Sequence, residues 1–315
     1  MVEFEYVTPS SLEAALQALG DASHPAMALA GGTRLLIDVR AGVVQPAILV
    51  DLRHLDTLEY IRFDDHCVAI GARTTLAQIE MNPLIQRYVP VLAEMAGSFG
   101  SPLIRTSATL GGNIASIAPV ADAVVPLLAL DATLLFQSAG DRRRQQLSAF
   151  ITDHRREAAH AQGLITEVSV PVLPGNALCF YAKLGNRKAN AIPIASVATV
   201  ITIQSQRIQE ARIALGAITP APLRATHAEA VLLNESLPLR DQTIEHCLAV
   251  LATELQDPLD DMVASAGYRV LMGKALLRKA LYHLRPVEQG DDKKMREEEL
   301  HEQDRHPSDR GRFSS

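Results

Sequence analysis

The sequence predicts an α+β protein of two domains followed by a charged tail. Three observations lead there. Short strands alternate with helices up to Pro174–Gly175, whereas beyond it three strand-like segments run in succession before three helical ones. That second order suits helices packed on one face of an antiparallel sheet. With 315 residues, 48% of them hydrophobic, the chain can bury a core large enough for two domains. From Pro286 the segment PVEQGDDKKMREEELHEQDRHPSDRGRFSS is charged and nearly devoid of large apolar side chains. It cannot bury enough surface to offset the entropy of ordering and reads as disordered. The expected divisions are 1–174, 175–285 and 286–315.

The elements follow from local pattern. Ser10 and Glu13 have capping-box spacing ahead of a helix whose Leu12, Leu16 and Leu19 share one face, and Gly20 stands where a left-handed C-terminal residue belongs. AMALAGGTRLLIDVR reads as a strand from Met27 to Ala30, a glycine turn and a short helix from Thr33. AILVDL and CVAIGAR read as strands. Between Thr75 and Gly97 the apolar spacing is helical, with Pro83 and Pro90 dividing it into two or three helices. ATLLFQS and LITEVSVPV are further strands. Then come ALCFYAKLG, IPIASVATVITIQ and RIQEARIALGAI, the last two joined as a hairpin through Ser205 and Gln206. Helices are expected over Ala225–Leu233, Asp241–Leu255 and Ser265–Leu284.

Composition excludes several functions. The formal charge is −6 and the basic residues are dispersed, so no surface tracks nucleic-acid phosphates. The apolar run after Asn113 is cut by Pro119, Asp122, Pro126 and Asp131, so no membrane insertion is expected, and the N-terminus lacks the pattern of a secretory signal. Cys67, Cys179 and Cys247 are far apart and in no CxxC spacing, which fits a reducing cytoplasm and supplies no metal site. The ten histidines form no HExxH or comparable ligand spacing.

Two glycine loops carry the chemistry. In ALAGGTRLL a strand ends in Gly31 and Gly32, where main-chain N–H groups can approach a phosphate closely, and the Thr33 hydroxyl can cap the helix or donate to a phosphate oxygen. Alone, this is also the pattern of a tight turn with a cap. ATLGGNI supplies a second pair, Gly111 and Gly112, between the Thr109 hydroxyl and the Asn113 amide. Two such loops suit one long ligand with phosphates in its middle and a flat ring at an end. Neither GxGxxG nor GxxxxGK[ST] spacing occurs, so a fold other than a Rossmann or P-loop domain must hold it. Asp122, flanked by Val120, Ala121, Ala123, Val124 and Val125, is costly to bury without partners. It reads equally as a ligand contact or as the N-cap of a helix at DAVVPLLAL.

Taken together, LAGGTRLL (Leu29–Leu36), IRTSATLGGNIASIAPVADAVVPLLALDATL (Ile104–Leu134), FYAKLGNRKANAI (Phe180–Ile192) and ASAGYRVLMGKALLRKAL (Ala264–Leu281) resemble the FAD-binding medium subunits of the molybdenum hydroxylases, such as xanthine and carbon monoxide dehydrogenases. The resemblance covers residues 1 to about 285. It implies a two-lobed FAD-binding domain of the vanillyl-alcohol oxidase type, followed by three antiparallel strands with a helix bundle. By position it assigns Ala28, Leu29, Ala30, Gly31, Gly32, Thr33, Arg34 and Leu35 to the FAD pyrophosphate, and places Phe99, Ala108 and Thr109 along the cofactor. Gly112 and Asn113 complete a second cradle, Asp122 makes a polar contact, and Ile165 and Lys183 sit near the isoalloxazine, where an ammonium favours the anionic reduced ring.

The implied partners are a small subunit with two 2Fe-2S clusters and a large subunit carrying the molybdenum cofactor, with NAD+ or another acceptor receiving the electrons. No residue of this chain is then a catalytic acid, base or nucleophile, or a metal ligand. Two departures stand out: Arg34 occupies a place where the family usually has Asp or Glu, and Gln162 and Gly163 replace an acidic pair before ITEV. Without the resemblance, Lys183 and Arg187 read as an exposed strand-end pair, and Tyr268 and Arg269 as packing residues. A free-standing flavin oxidoreductase and a cofactor-free assembly module are the competing functions.

Overall fold

The computed structural model describes residues 4–20, 24–64, 66–156, 163–187 and 191–284; the expected tail lies outside them. The first unit is small. Strands β1 (Glu5–Val7), β3 (Ile48–Asp51) and β2 (Ala26–Leu29) form a parallel sheet in the order β1-β3-β2. Helix α1 (Leu12–Leu19) buries Ala15, Leu16 and Leu19 against Val50 and Leu52. Its cap is Ser11, one residue later than the pattern predicts, with Oγ accepting from Ala14 N at 3.2 Å. Gly20 is right-handed, with φ −83°, and not left-handed as the pattern predicts; its N–H closes onto the carbonyls of Leu16 and Gln17. Helix α2 (Leu35–Arg40) follows the first glycine loop without a side-chain cap, so Thr33 does not play that role.

The second unit is built on a five-stranded antiparallel sheet in the order β4-β5-β8-β6-β7, formed by β4 (Ile61–Asp64), β5 (Cys67–Gly71), β6 (Thr133–Gln137), β7 (Arg142–Gln146) and β8 (Leu164–Pro171). Pro83 and Pro90 open helices α4 (Pro83–Tyr88) and α5 (Pro90–Ser98) after α3 (Leu76–Met81). Four further helices complete it: α6 (Pro102–Arg105), α7 (Leu110–Ala115), α8 (Val124–Ala129) and α9 (Leu147–Arg156). One sheet face carries Val68, Ile70, Leu134, Val168 and Val170 into the core. On the opposite face the buried Glu167 accepts from Tyr60 and Arg62 at 2.8 Å, Ser169 at 3.0 Å and Arg144 at 3.2 Å. Burial alone would push this carboxyl up, but those donors hold it below the ordinary glutamate range.

In the third unit β9 (Ala177–Gly185), β10 (Pro193–Gln204) and β11 (Arg207–Gly216) form the expected antiparallel succession, extended by a two-residue strand, β12 (Leu223–Arg224). Ser205 and Gln206 make the hairpin turn with φ of 50° and 60°. Helices α10 (Thr226–Leu232), α11 (Asp241–Glu254) and α12 (Ala266–Tyr282) cover one face, meeting Val197, Ile201, Ile213 and Leu215. The other face is also buried: Ala198, Val200 and Ala214 join the core of the second unit, with α8 wedged against β10 and β11. Burial on both faces explains why IASVATVI is apolar without alternation.

Two side chains fasten these layers. Asp131 pairs with Arg212 at 3.4 Å and with Arg224, joining the end of α8 to β11 and β12. Arg269, 2% exposed, donates to the carbonyls of Ala217 at 2.7 Å and Ile194 at 2.9 Å and grips Asp261 at 2.8 and 2.9 Å, a packing role as the sequence suggests.

We expect Arg269→Met to leave two buried carbonyls without a donor and to lower stability by about 2 kcal/mol or more, read as a fall in melting temperature. An unchanged Tm would show the clamp is dispensable. Because the Glu167 pKa is depressed, the stability it contributes is present above the unfolded value and is lost as pH falls through the folded one. Glu167→Gln should therefore melt below wild type at pH 7, with the gap closing in acid; a gap independent of pH would contradict this.

Candidate functional site

The carboxyl ends of β2 and β3 lie side by side, Leu29 opposite Asp51, and the first glycine loop leaves the sheet there. Gly32 has φ +68°, a left-handed value that turns the chain from β2 toward α2 at little cost only for glycine. Among the described residues, none of the N–H groups of Gly31, Gly32, Thr33, Arg34 and Leu35 finds an acceptor in the protein. Five consecutive donors without partners are unusual for a backbone that otherwise satisfies itself, and they form a ready-made anion cradle. Arg34 does not face into it: its Nε reaches Asp38 Oδ2 at 2.6 Å on the exposed side of α2, so the departure from the acidic family pattern falls in a surface ion pair.

The second loop is built differently. Thr109 caps α7, its Oγ1 accepting from Gly112 N at 3.2 Å, while Leu110 N donates to Thr74 O at 3.0 Å and Gly111 N to Ala72 O at 2.8 Å. The opening amides of this helix are thus spent inside the protein, contrary to the reading of two equivalent N–H cradles. Gly111 is structural: a Cβ there would come within 2.7 Å of Ala72 Cβ. Gly112 is the exposed member, where a Cβ would meet only Thr109 Oγ1 within 4 Å, at 2.8 Å. The Thr109 hydroxyl proton and the Asn113 Nδ2 group keep donor capacity, with no acceptor among the described residues.

The two loops touch. A Cβ at Gly31 would overlap the carbonyl oxygen of Ser107 and lie 3.2 Å from Ala108 N, so glycine is required where the first unit meets the second. From that contact several candidate residues are linked by the chain and by hydrogen bonds. Ala108 and Thr109 lead into Gly112 and Asn113, and Asn113 Oδ1 accepts from Ala123 N at 3.1 Å. The neighbouring Asp122, 4% exposed, receives Lys183 Nζ at 2.9 Å on Oδ2 and the Tyr181 hydroxyl at 3.2 Å on Oδ1. Lys183 Nζ in turn stands 6.0 Å from the centre of the Phe99 ring. Ala28, Leu29 and Ala30 approach along β2, and Leu35 opens α2. Ile165 sits in β8 within the core, beside the Thr166 carbonyl that accepts from Ala72 N at 3.1 Å.

Asp122 is not a helix cap. Ala123 occupies that position without a side-chain hydrogen bond, and Pro126 falls within the first turn of α8. Burial pushes the Asp122 carboxyl above the ordinary aspartate range, with Lys183 and Tyr181 offsetting part of that effect; burial likewise raises the Tyr181 phenol. Nor is Lys183 an exposed strand-end residue, since its side chain is 10% exposed. The sequence reading missed Tyr181, although its spacing of two from Lys183 on a strand puts both on one face. Ser107 carries no signal of its own, because its part is played by its main chain. Gly163, one of the departures from the family pattern, is fixed by packing: a Cβ there would overlap the Gln137 carbonyl and come within 2.6 Å of the Phe136 ring.

No helix among the described residues is long and apolar enough to cross a membrane, and no group of three or more His, Cys, Asp or Glu residues among them could hold a metal ion. The residues present do fit a flavin nucleotide: the amide run at 31–35 suits a diphosphate, and the bare Gly112 leaves room for it beside Thr109 and Asn113.

Comparison with known proteins gives the family. Residues 2–173 match the FAD binding domain in molybdopterin dehydrogenase, and residues 180–284 match the CO dehydrogenase flavoprotein C-terminal domain. The chain is 31% identical over 294 residues to the 6-hydroxypseudooxynicotine dehydrogenase complex subunit alpha of Paenarthrobacter nicotinovorans, covering 92% of this chain and 98% of that one. It is 28% identical to the carbon monoxide dehydrogenase medium chain of Hydrogenophaga pseudoflava, covering 88% and 96%. Among solved structures, quinoline 2-oxidoreductase from Pseudomonas putida 86 superposes with a TM-score of 0.82 at 25% identity, over 90% of this chain and 96% of that one. The chain belongs to the FAD-binding subunits of the molybdenum hydroxylases, as an oxidoreductase subunit whose cofactor is FAD.

Proposed function

We propose that the residues from Ala28 to Leu35, with Phe99, Ala108, Thr109, Gly112, Asn113, Asp122, Ile165 and Lys183, hold FAD between the first two units. We further propose that this chain is the electron outlet of a complex with a small subunit bearing two 2Fe-2S clusters and a large molybdenum-cofactor subunit. NAD+ or another acceptor would take the electrons. The observation that carries this reading is the run of five acceptor-free N–H groups from Gly31 to Leu35. Five weak donors acting together supply what one could not, since a single favourable main-chain contact to an anion contributes only about 0.3–1 kcal/mol.

When bound, FAD supplies exchange between one-electron carriers such as iron–sulfur clusters and two-electron acceptors such as NAD+. The chain's own residues bind and orient. Gly31 and Gly32 keep the diphosphate path free of side chains, Thr109 and Asn113 offer donors on its far side, and Phe99 provides an apolar wall. Lys183 holds a cation 6.0 Å from the centre of the Phe99 ring, and its ammonium favours negative charge in whatever ring lies against it. In this reading no general acid, base or nucleophile is required of this chain, and substrate oxidation belongs to the large subunit.

Gly112→Val tests the cradle. The added branch meets only the Thr109 hydroxyl, which must shift, and it fills the approach to α7, so we expect folded protein with FAD affinity lowered about tenfold or more, read from flavin absorbance after reconstitution and dialysis. Wild-type FAD content in the variant would contradict the assignment. Purification from the native host followed by mass spectrometry tests the complex: two co-eluting chains with cluster and molybdenum signatures are expected, and a homogeneous single chain would overturn it.

A further inference from the structure

We propose that Tyr181 is a positioning residue of the cofactor site, holding the Lys183 ammonium in place through Asp122. The inference rests on the reading above that Lys183 faces the flavin. Strand β9 presents Tyr181 and Lys183 on one face, and both converge on a single carboxylate from another part of the chain, one donor on each oxygen at 3.2 and 2.9 Å. Asp122 is itself anchored, because the next residue's N–H is tied to Asn113 in the second loop at 3.1 Å. The cation is therefore fixed relative to the loop that lines the site, not merely to its own strand.

Lys183 has three N–H donors, of which one reaches Asp122 and none finds a further acceptor among the described residues, although the side chain is only 10% exposed. An ammonium on a side chain only 10% exposed, with spare donors and an aromatic ring 6.0 Å away, is arranged for an acceptor that the described residues do not provide. Stability is a poor explanation for such an arrangement, since a buried ion pair often contributes no more than apolar residues of the same volume. The tyrosine matters because a carboxylate bound by the lysine alone could swing and carry the ammonium with it.

Titration distinguishes positioning from packing. The groups facing this carboxylate are Lys183 and Tyr181 from β9, and Glu94 of α5 lies on the main-chain side of Tyr181. Removing the phenol hydroxyl withdraws a donor from the charged carboxylate and makes it easier to protonate. Once it is protonated, Lys183 loses the negative charge that holds its ammonium in place.

The test uses the full chain reconstituted with FAD, following flavin release by fluorescence across a pH series for wild type, Tyr181→Phe and Lys183→Met, with apoprotein melting as a control. Retention should fall as pH is lowered. In Tyr181→Phe the midpoint of that fall should move up by about one pH unit, while Lys183→Met should weaken FAD binding at every pH. If Lys183→Met weakens binding but the Tyr181→Phe profile keeps the wild-type midpoint, whether or not it is uniformly lower, Tyr181 only packs and the proposal is overturned. If Lys183→Met binds FAD as wild type does, the underlying assignment of Lys183 fails instead.

Discussion

The absence of a side chain at Gly31 governs this architecture. A Cβ there would overlap the Ser107 carbonyl, so only glycine lets the loop leaving β2 come into main-chain contact with the segment that leads into α7. That contact aligns the run of acceptor-free amides with the lead into α7. Any larger residue would force the two units apart and misplace the donors on both sides at once. The glycine thus serves two ends, the closeness of the units and the closeness of backbone to ligand. The first is visible in the geometry, and the second follows from the unspent amides beside it.

The third unit belongs to the site as much as the first two. Helix α8 is wholly buried, pressed between the core of the second unit and the free face of the β9–β12 sheet, and Asp131 at its end is clasped by Arg212 and Arg224. Glycine is needed again at Gly216, where a Cβ would overlap Val125. The loop entering α8 carries Asp122 to Lys183, so docking of the third unit and placement of the ammonium are one event. A segment that looks like ordinary core with a stray aspartate is the hinge between cofactor site and partner sheet.

Much of this was legible in the sequence. The strand and helix order beyond Pro174, the proline-divided helices α4 and α5 and the Ser205–Gln206 hairpin all have local causes: apolar spacing, a ring that fits only a helix start, and a two-residue turn. What escaped lacks such a cause. Strand β7, RRRQQ, is an exposed edge strand with no apolar alternation, recognised only through its partner β6. Helix α7 begins with Leu-Gly-Gly, so intrinsic preference argues against it and tertiary packing overrides it, whereas the helix expected at DAVVPLLAL is present as α8 with Ala123, not Asp122, at its cap. The cap at Ser11 instead of Ser10 is a one-residue ambiguity that two adjacent serines cannot resolve. Among the site residues the glycine pairs were conspicuous, but which glycine serves the ligand and which the fold depended on neighbours distant in sequence: Ala72 for Gly111, Ser107 for Gly31.

The central claim is that the unspent amides of residues 31–35 receive the diphosphate of FAD. Amide hydrogen exchange of the reconstituted chain, measured with and without FAD, tests it most directly. The account predicts that Gly31 to Leu35 exchange freely in the apoprotein and become strongly protected when FAD binds, while the amides of Leu110 and Gly111, already bonded to Thr74 and Ala72, change little. FAD binding that leaves exchange at 31–35 untouched would contradict it.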